Sequence, residues 1–218
     1  MCGRYVVRFS KSAFEGTFNV QPPLFESYNL APTQYAPILW AADGNREVLE
    51  ARWGLIPKWV DRPFDFKANL FNARSETLLE KPSFKRPFKS QRCIVPTSGF
   101  YEWKKVGSAK QPYYIHPKDE RPLALAGLWD HWEKDGEAIT SFTVLTTSPN
   151  TLMSTLHDRM PVILEPDAFS SWLDPEIDGQ DLLELLAPAE DDLLEAHPVD
   201  RRVGRVSEDD ANLIVEKS

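Results

Sequence analysis

The second residue of the chain is a cysteine, in the stretch Met1-Cys2-Gly3-Arg4-Tyr5. Removal of Met1 makes Cys2 the N-terminus, with a free α-amine and a thiol on adjacent carbons. An α-amine has an ordinary pKa of about 7.7–8.0, so a useful fraction is neutral near pH 7. A neutral amine attacks an aldehyde to give a Schiff base. The thiol beside it can then close onto the imine carbon and form a five-membered thiazolidine. Gly3 lets a substrate approach the backbone closely, and Arg4 carries the right charge for a phosphate. A cysteine at position 2 is a weak signal when it stands alone.

Three further polar residues stand in apolar or aromatic company. Asn72 follows Leu70-Phe71, Glu102 lies within Gly99-Phe100-Tyr101-Glu102-Trp103, and His157 follows Leu152-Met153 and Leu156. A carboxylate between aromatics is expected to have a raised pKa, which suits a general acid or base. A histidine at a helix end beside Asp158 and Arg159 suits titration near neutrality. Plainer readings stay open for each. Alternation alone favours Glu102 as the solvent-facing position of a strand. His157 can be a cap or packing residue, and Asn72 a turn former. His116, His131 and His197 have no partner at metal-ligand spacing, so no metal and no other cofactor is expected.

The elements that must position these groups are mostly strands. Cys2–Arg8 reads as a strand, and Ser12-Ala13-Phe14-Glu15 as a capping box opening a short helix. Residues 21–37 read as Pro-rich and irregular. Strands are expected at 38–41 and 48–53, joined by a turn at Asp43-Gly44-Asn45. The loop after Trp53 adds Lys58 and Trp59. Residues 71–77 lead into a short helix that Pro82 is expected to stop. Strands follow at 93–95, 100–104 and 113–116. A hairpin pairs 123–132 with 138–147 across Asp135-Gly136, and the apolar run 123–129 suits a central strand buried on both faces. Helices are expected at 149–156, 168–173 and 181–186, strands at 162–164 and 197–206. There are no repeats and no linker. The pattern predicts one α+β domain over 1–218: a curved antiparallel β-sheet with a barrel-like core and short flanking helices.

Composition narrows the function classes. No apolar run reaches 18 residues and no basic-then-apolar segment opens the chain, so neither a membrane span nor a secretory signal is expected. Two cysteines, at 2 and 93, make no disulfide framework and suit a reducing compartment. The net charge is −8, unevenly spread: residues 1–110 hold 17 Lys and Arg against 10 Asp and Glu, net +7, and residues 111–218 hold 8 against 23, net −15. Such asymmetry points to a polyanion-binding face or, more plainly, to a solvated basic surface. The densest basic segment is 81–92, and Trp53 and Trp59 offer rings on which unpaired bases can stack.

Seven short motifs, in order, carry a resemblance: Met1-Cys2-Gly3-Arg4-Tyr5, Asn29-Leu30-Ala31-Pro32-Thr33, Arg52-Trp53-Gly54-Leu55, Asn72-Ala73-Arg74-Ser75-Glu76-Thr77, Gly99-Phe100-Tyr101-Glu102-Trp103, His157-Asp158-Arg159-Met160-Pro161 and His197-Pro198-Val199. From Cys2 to about residue 215 the chain resembles the SOS response-associated peptidase (SRAP) family of abasic-site processing proteins. The resemblance implies a barrel-like α+β fold with a positively charged channel. It implies that Met1 is removed and that Cys2 attacks the ring-opened aldehyde of an abasic site in single-stranded DNA. The thiazolidine DNA–protein crosslink so formed shields the lesion. Asn72 matches the residue contacting the ring nitrogen, Glu102 the acid/base of imine formation and ring closure, and His157 the residue that helps open the sugar and reverses the crosslink. Arg4, Arg74 and Arg159 match phosphate-binding arginines. Trp53 and Pro32 match residues that pack on bases and kink the strand. The loops 20–28 and 190–195 depart from the family and carry nothing over.

The implied activity is crosslinking of lyase type, with a possible peptidase step that removes Met1. The expected partner is abasic single-stranded DNA, a monomer is expected, and no membrane is expected to be involved. The expected location is the cytoplasm and nucleoid of a bacterium, or the nucleus of a eukaryote. Two alternatives stand beside this one: a cysteine peptidase with Cys2 as N-terminal nucleophile and His157 as base, and a non-catalytic single-strand-binding module. An abasic site lacks its base, so its sugar is reached without the unstacking cost of base flipping.

Overall fold

The chain opens with strand β1 (Tyr5–Val7), helix α1 (Lys11–Phe18) and β2 (Ser27–Leu30), followed by the hairpin β3 (Tyr35–Ala42) and β4 (Asn45–Trp53). After a long loop come β5 (Asn72–Arg74), helix α2 (Pro82–Ser90), β6 (Arg92–Thr97), β7 (Gly99–Val106), β8 (Ala109–Pro117), β9 (Leu123–Lys134) and β10 (Glu137–Thr147). The last part holds α3 (Thr151–Ser154), β11 (Met160–Pro161), β12 (Ile163–Leu164), α4 (Phe169–Leu173) and β13 (Leu194–Pro198). The structure is a computed structural model that describes residues 2–42, 44–65 and 69–217.

Two sheets result. In the first, β3 pairs with β4 and β6, β6 with β9, and β9 with β10, all antiparallel, while β10 runs parallel to β4. The ring β3–β4–β10–β9–β6 therefore closes into a five-stranded barrel, which leaves no edge among those strands. The second sheet is antiparallel, in the order β13–β8–β7–β1–β2. The expected curved sheet is thus a closed barrel plus a separate sheet.

β9 shows why the run 123–129 is apolar without alternation. Leu123 and Leu125 face the core shared by barrel and second sheet, with Cys2, Tyr5, Trp53 and Phe100. Ala124, Ala126 and Leu128 face a second core on the outside of the barrel, under Phe14 and Phe18 of α1, Phe84 and Phe88 of α2 and Trp172 of α4. Each large apolar side chain buried there contributes about 1.5–3 kcal/mol. The Asp135-Gly136 turn has the positive φ of 52° and 84° that its residue types favour.

Several boundaries differ from the sequence expectation. Helix α1 is capped by Ser10, whose Oγ accepts from Ala13 N at 3.1 Å, and not by Ser12. Pro82 opens α2 instead of ending a helix, because a proline at the first helical position loses no hydrogen bond; the stretch before it is β5 and one 3₁₀ turn at Ser75–Thr77. The helix expected over 149–156 shrinks to α3. Residues 197–206 are a strand only to Pro198, after which Asp200 caps a 3₁₀ turn at Arg201–Gly204. The Pro-rich 21–37 stretch includes β2 and the start of β3. The turn at 43–45 falls partly on Asp43, outside the described residues.

Candidate active site

The C-terminal end of β10 is flanked on both sides by short strands. β5 runs parallel to it, with Asn72 opposite Val144 and Arg74 opposite Thr146. β11 runs antiparallel, with Pro161 opposite Thr146. This brings Asn72 and Arg74 beside the loop that carries His157 and Arg159. The second sheet supplies the other wall: Cys2 and Arg4 precede β1, and Glu102 lies on β7, which pairs with β1 through Tyr5 and Phe100.

Asn72 Nδ2 donates to the Cys2 carbonyl at 2.7 Å, which fixes the backbone that carries the thiol and amine. Its Oδ1 is buried with no hydrogen-bond partner among the described residues. The segment before Asn72 is held from behind, since Trp53 Nε1 donates to the Phe71 carbonyl at 2.8 Å. Glu102 is 3% exposed and lies on the inward face of β7 with Phe100. The solvent-facing reading of Glu102 is therefore wrong: alternation gave it the opposite face from Tyr101, but that face meets the barrel and not water. Gly99 is required where β7 begins, because a Cβ there would lie 2.6 Å from the Tyr114 ring and the Ile115 carbonyl. Burial first, and the Glu102 carboxylate second, push the Cys2 thiol far above its ordinary value.

His157 ends the turn after α3, its N–H donating to the Met153 carbonyl at 2.8 Å. Asn150 caps that turn by accepting from Met153 N at 3.0 Å. The His157 Nδ1 accepts from Arg159 N at 3.0 Å and also lies 2.8 Å from Asp158 Oδ1. Those two contacts require opposite states of Nδ1. A peptide N–H always carries its proton, whereas the Asp158 side chain is 84% exposed and is readily solvated elsewhere. The backbone contact takes Nδ1 as acceptor, which leaves Nε2 as the ring nitrogen able to donate.

Arg4, Phe71, Glu102, Trp103, Lys110 and His157 line one open cleft of about 530 Å³. Gly3 lines it too, and Cys2, 1% exposed, lies one residue behind. Sequence reasoning missed Phe71, Trp103 and Lys110 as lining residues. Trp103 is adjacent to Glu102 in the sequence, whereas Lys110 has no local signature, since only the β7–β8 pairing brings it here.

The expected DNA-contacting residues divide. Arg74 is exposed. Arg4 is half-buried, donates to the Gly3 carbonyl at 2.9 Å and keeps a buried Nε without a hydrogen-bond partner among the described residues. Pro32 lines a smaller neighbouring pocket of about 200 Å³, and Phe71 is common to both cavities. Trp53 is fully buried, stacked on Phe142 and edge-on to Tyr5, so it offers no ring to a base. Trp59 is 61% exposed and does. Arg159 is buried: its Nη atoms donate to Glu76 and Thr146, and its Nε is buried with no hydrogen-bond partner among the described residues. The basic stretch 81–92 is mainly α2, packed on the outside of the barrel away from the cleft lining. Its Arg92 is buried and donates to the carbonyls of Trp172, Phe88, Lys89, Asp174 and Ile177.

A family model described as SOS response associated peptidase (SRAP) matches residues 1–206. The chain belongs to the SRAP family. It is 39% identical to the abasic site processing protein YoqW of Bacillus subtilis, covering 98% of this chain and 99% of that protein. It is 36% identical to the abasic site processing protein HMCES of Gallus gallus, over 87% of this chain and 66% of the relative. A crystal structure of a Bacteroides thetaiotaomicron protein superposes with a TM-score of 0.89 at 30% identity, covering 100% of both chains. Among the described residues of this SRAP chain, no helix is long and apolar enough to cross a membrane.

Proposed function

We propose that this SRAP protein, once Met1 is removed, captures the ring-opened aldehyde of an abasic site in single-stranded DNA as a thiazolidine on Cys2. The observation that carries the reading is the Asn72–Cys2 hydrogen bond at 2.7 Å, formed behind a cleft shared by Arg4, Glu102 and His157. Several groups that the aldehyde chemistry needs thus come from four separate chain segments to one place.

The order of steps follows from the electrostatics. A thiol pushed upward stays protonated at neutral pH, so the amine is the first nucleophile. It adds to the aldehyde carbon, and loss of water gives the imine. The S–H then adds across C=N: the sulfur–carbon bond forms, the π bond breaks, and the nitrogen gains the proton. Glu102 relays protons to the departing water and from thiol to nitrogen. Asn72 Oδ1, with no other partner among the described residues, accepts from the ring N–H. His157 Nε2–H donates to the sugar oxygen when the deoxyribose opens, and again when the thiazolidine reopens. Arg4 and Arg74 hold flanking phosphates, and Trp59, not Trp53, stacks on an unpaired base. A peptidase would need a ready thiolate, which burial and Glu102 both oppose.

The deciding experiment mixes the protein with an abasic single-stranded oligonucleotide and boils the product in detergent. A shifted band that survives supports the reading. A shift that is reversible and salt-sensitive only, or peptide turnover with no shift, overturns it.

A further inference from the structure

Nothing in the cleft beside Cys2 requires that its aldehyde belong to a polymer. The cavity holds about 530 Å³, inside the range of roughly 300–1,000 Å³ that small-molecule sites occupy. Two cations line it, Arg4 and Lys110, against one carboxylate, Glu102. Arg4 keeps a buried Nε with no hydrogen-bond partner among the described residues, and desolvation lowers its guanidinium from the ordinary value. A cation held partly out of water, with a donor unused, gains more from an anion than a solvated cation does. Lys110 is exposed and stands on β8 opposite the exposed Lys105 of β7, so the positive charge continues at the rim.

A phosphate monoester carries a charge of about −1.5 to −2 near pH 7, whereas each backbone phosphate of DNA carries a single negative charge. Phosphate for phosphate, a small sugar phosphate therefore suits these cations at least as well as a strand does. Cys2 is 1% exposed. A small aldehyde reaches such a recessed nucleophile with less opening of the cleft than a strand needs.

We infer that the cleft also captures free aldehydes that bear a phosphate monoester, as thiazolidines on Cys2, with no DNA present. The inference rests on the reading of Cys2 as the aldehyde nucleophile. The α-amine adds to the aldehyde carbon, and the carbonyl oxygen takes up two protons and leaves as water. The S–H then adds across the imine: the sulfur–carbon bond forms and the nitrogen takes the thiol proton. The sum is one thiazolidine and one water, with no oxidant or reductant. Arg4 holds the phosphate, which stays on the sugar throughout. Arg74 and Trp59 lie outside the lining of this cleft, so a free aldehyde forgoes contacts open to a strand and competes with DNA only in excess. A Cys2 closed into such a ring has no thiol left for an abasic site.

The test uses the full chain with Met1 removed, and a synthetic peptide of residues 2–5 as the measure of intrinsic aminothiol reactivity. Both are mixed with 2-deoxyribose 5-phosphate and with 2-deoxyribose, and in a second pair with glyceraldehyde 3-phosphate and glyceraldehyde. Intact mass reads the adduct as a gain of the aldehyde less one water, and peptide mapping places it. The preference is the phosphorylated-to-neutral rate ratio of the protein divided by that of the peptide. It is expected to be about tenfold in both pairs, the effect of one charge-assisted hydrogen bond, and to fall in Arg4→Ala. A preference of about one in either pair, or an adduct mapped away from Cys2, overturns the inference without recourse to any variant.

The second readout is competition. Protein pre-incubated with excess 2-deoxyribose 5-phosphate should crosslink an abasic single-stranded oligonucleotide about tenfold more slowly than protein pre-incubated with 2-deoxyribose. Undiminished crosslinking by protein that carries the adduct mass would overturn the inference. The two readings fail separately. If the oligonucleotide crosslinks and the phosphorylated sugars show no preference, only the capture of free aldehydes falls. If the sugar phosphates are captured and the oligonucleotide is not, the DNA reading falls and the capture stands.

Discussion

Cys2 and Cys93 are both buried, both free thiols, and both pushed upward by burial. Their surroundings differ in kind. Cys93 lies on β6 opposite Gly127 of β9, so close that a Cβ on Gly127 would come within 2.9 Å of its sulfur. Its sulfur meets barrel core, and its carbonyl is taken by Trp172 Nε1 at 2.9 Å. Cys2 has Asn72 on its carbonyl, the Glu102 charge acting on its thiol, and an open cleft one residue away. Burial therefore does not separate the proposed nucleophile from the other thiol. What separates them is a polar set supplied by both sheets and, once Met1 is removed, an amine that Cys93 never has.

The largest expected effect breaks the comparison directly. Cys2→Ser keeps the α-amine, so it should still form a Schiff base that borohydride traps. Without reductant almost no crosslink should survive on a denaturing gel. Cys93→Ser should crosslink at the wild-type rate while losing about 1–3 kcal/mol of stability, because it buries a hydroxyl where an apolar thiol packs in the core. Loss of crosslinking in Cys93→Ser at a temperature where it is fully folded would show that the contrast drawn between the two thiols is wrong.

Next in size is Glu102→Gln, which removes the proposed proton relay on the Cys2 side only. Single-turnover crosslinking should slow by about 10²–10⁴-fold if this is full general catalysis. Gln has nearly the shape of Glu, and because Glu102 is 3% exposed, melting should confirm that the fold is kept. A rate within a factor of about two of wild type would move the acid/base role elsewhere.

The pH dependence sharpens the same contrast. With the thiol raised, its anion is scarce at neutral pH, and the nucleophile that gains with pH is the amine. Crosslinking should therefore rise up to about pH 8, where the amine is half neutral, and then flatten. Were the Cys2 thiolate the first nucleophile, the rate would keep climbing about tenfold per pH unit through pH 9. Iodoacetamide, which needs the thiolate, should modify both cysteines of the native protein slowly. An aldehyde should react at Cys2 alone.

Much of this site could be read from residue order, and the failures have physical causes. The hairpin across Asp135-Gly136 and the doubly buried run of β9 follow from local turn chemistry and pattern. Cys2, Asn72, Glu102 and His157 stand in the sequence as polar groups in apolar company, and that company is the core joining the two sheets. Local pattern failed where a distant element decides the environment. Trp53 looks like a stacking ring until the Phe71 loop, Phe142 and Tyr5 close over it. Arg159 and Arg92 look like surface cations until Thr146 and the Trp172 turn supply their acceptors. Pro82 stops a helix or starts one with equal ease, and only the amphipathic pattern of Phe84 and Phe88 behind it shows which. Lys110 reaches the cleft through strand pairing alone.

The smallest effect concerns Arg4 and Arg74, the two arginines proposed to hold phosphates. Arg4 stands two residues after Cys2, and its partly buried guanidinium is lowered from its ordinary value by desolvation while staying charged. Arg74 is exposed at the end of β5, opposite Thr146. Replacing either with alanine should remove one phosphate contact, lowering the slope of log K against log salt by about 0.7 for single-stranded DNA of any sequence. The double variant should lose about twice that if the contacts are independent. Arg92→Ala has no acceptor on DNA to lose and should leave the slope alone, although its stability falls as five carbonyls lose their donor. Binding isotherms at several salt concentrations, on an oligonucleotide without an aldehyde, separate these cases. An unchanged slope in both Arg4→Ala and Arg74→Ala would put the strand on another face of the protein. The cleft beside Cys2 would then open onto something other than DNA.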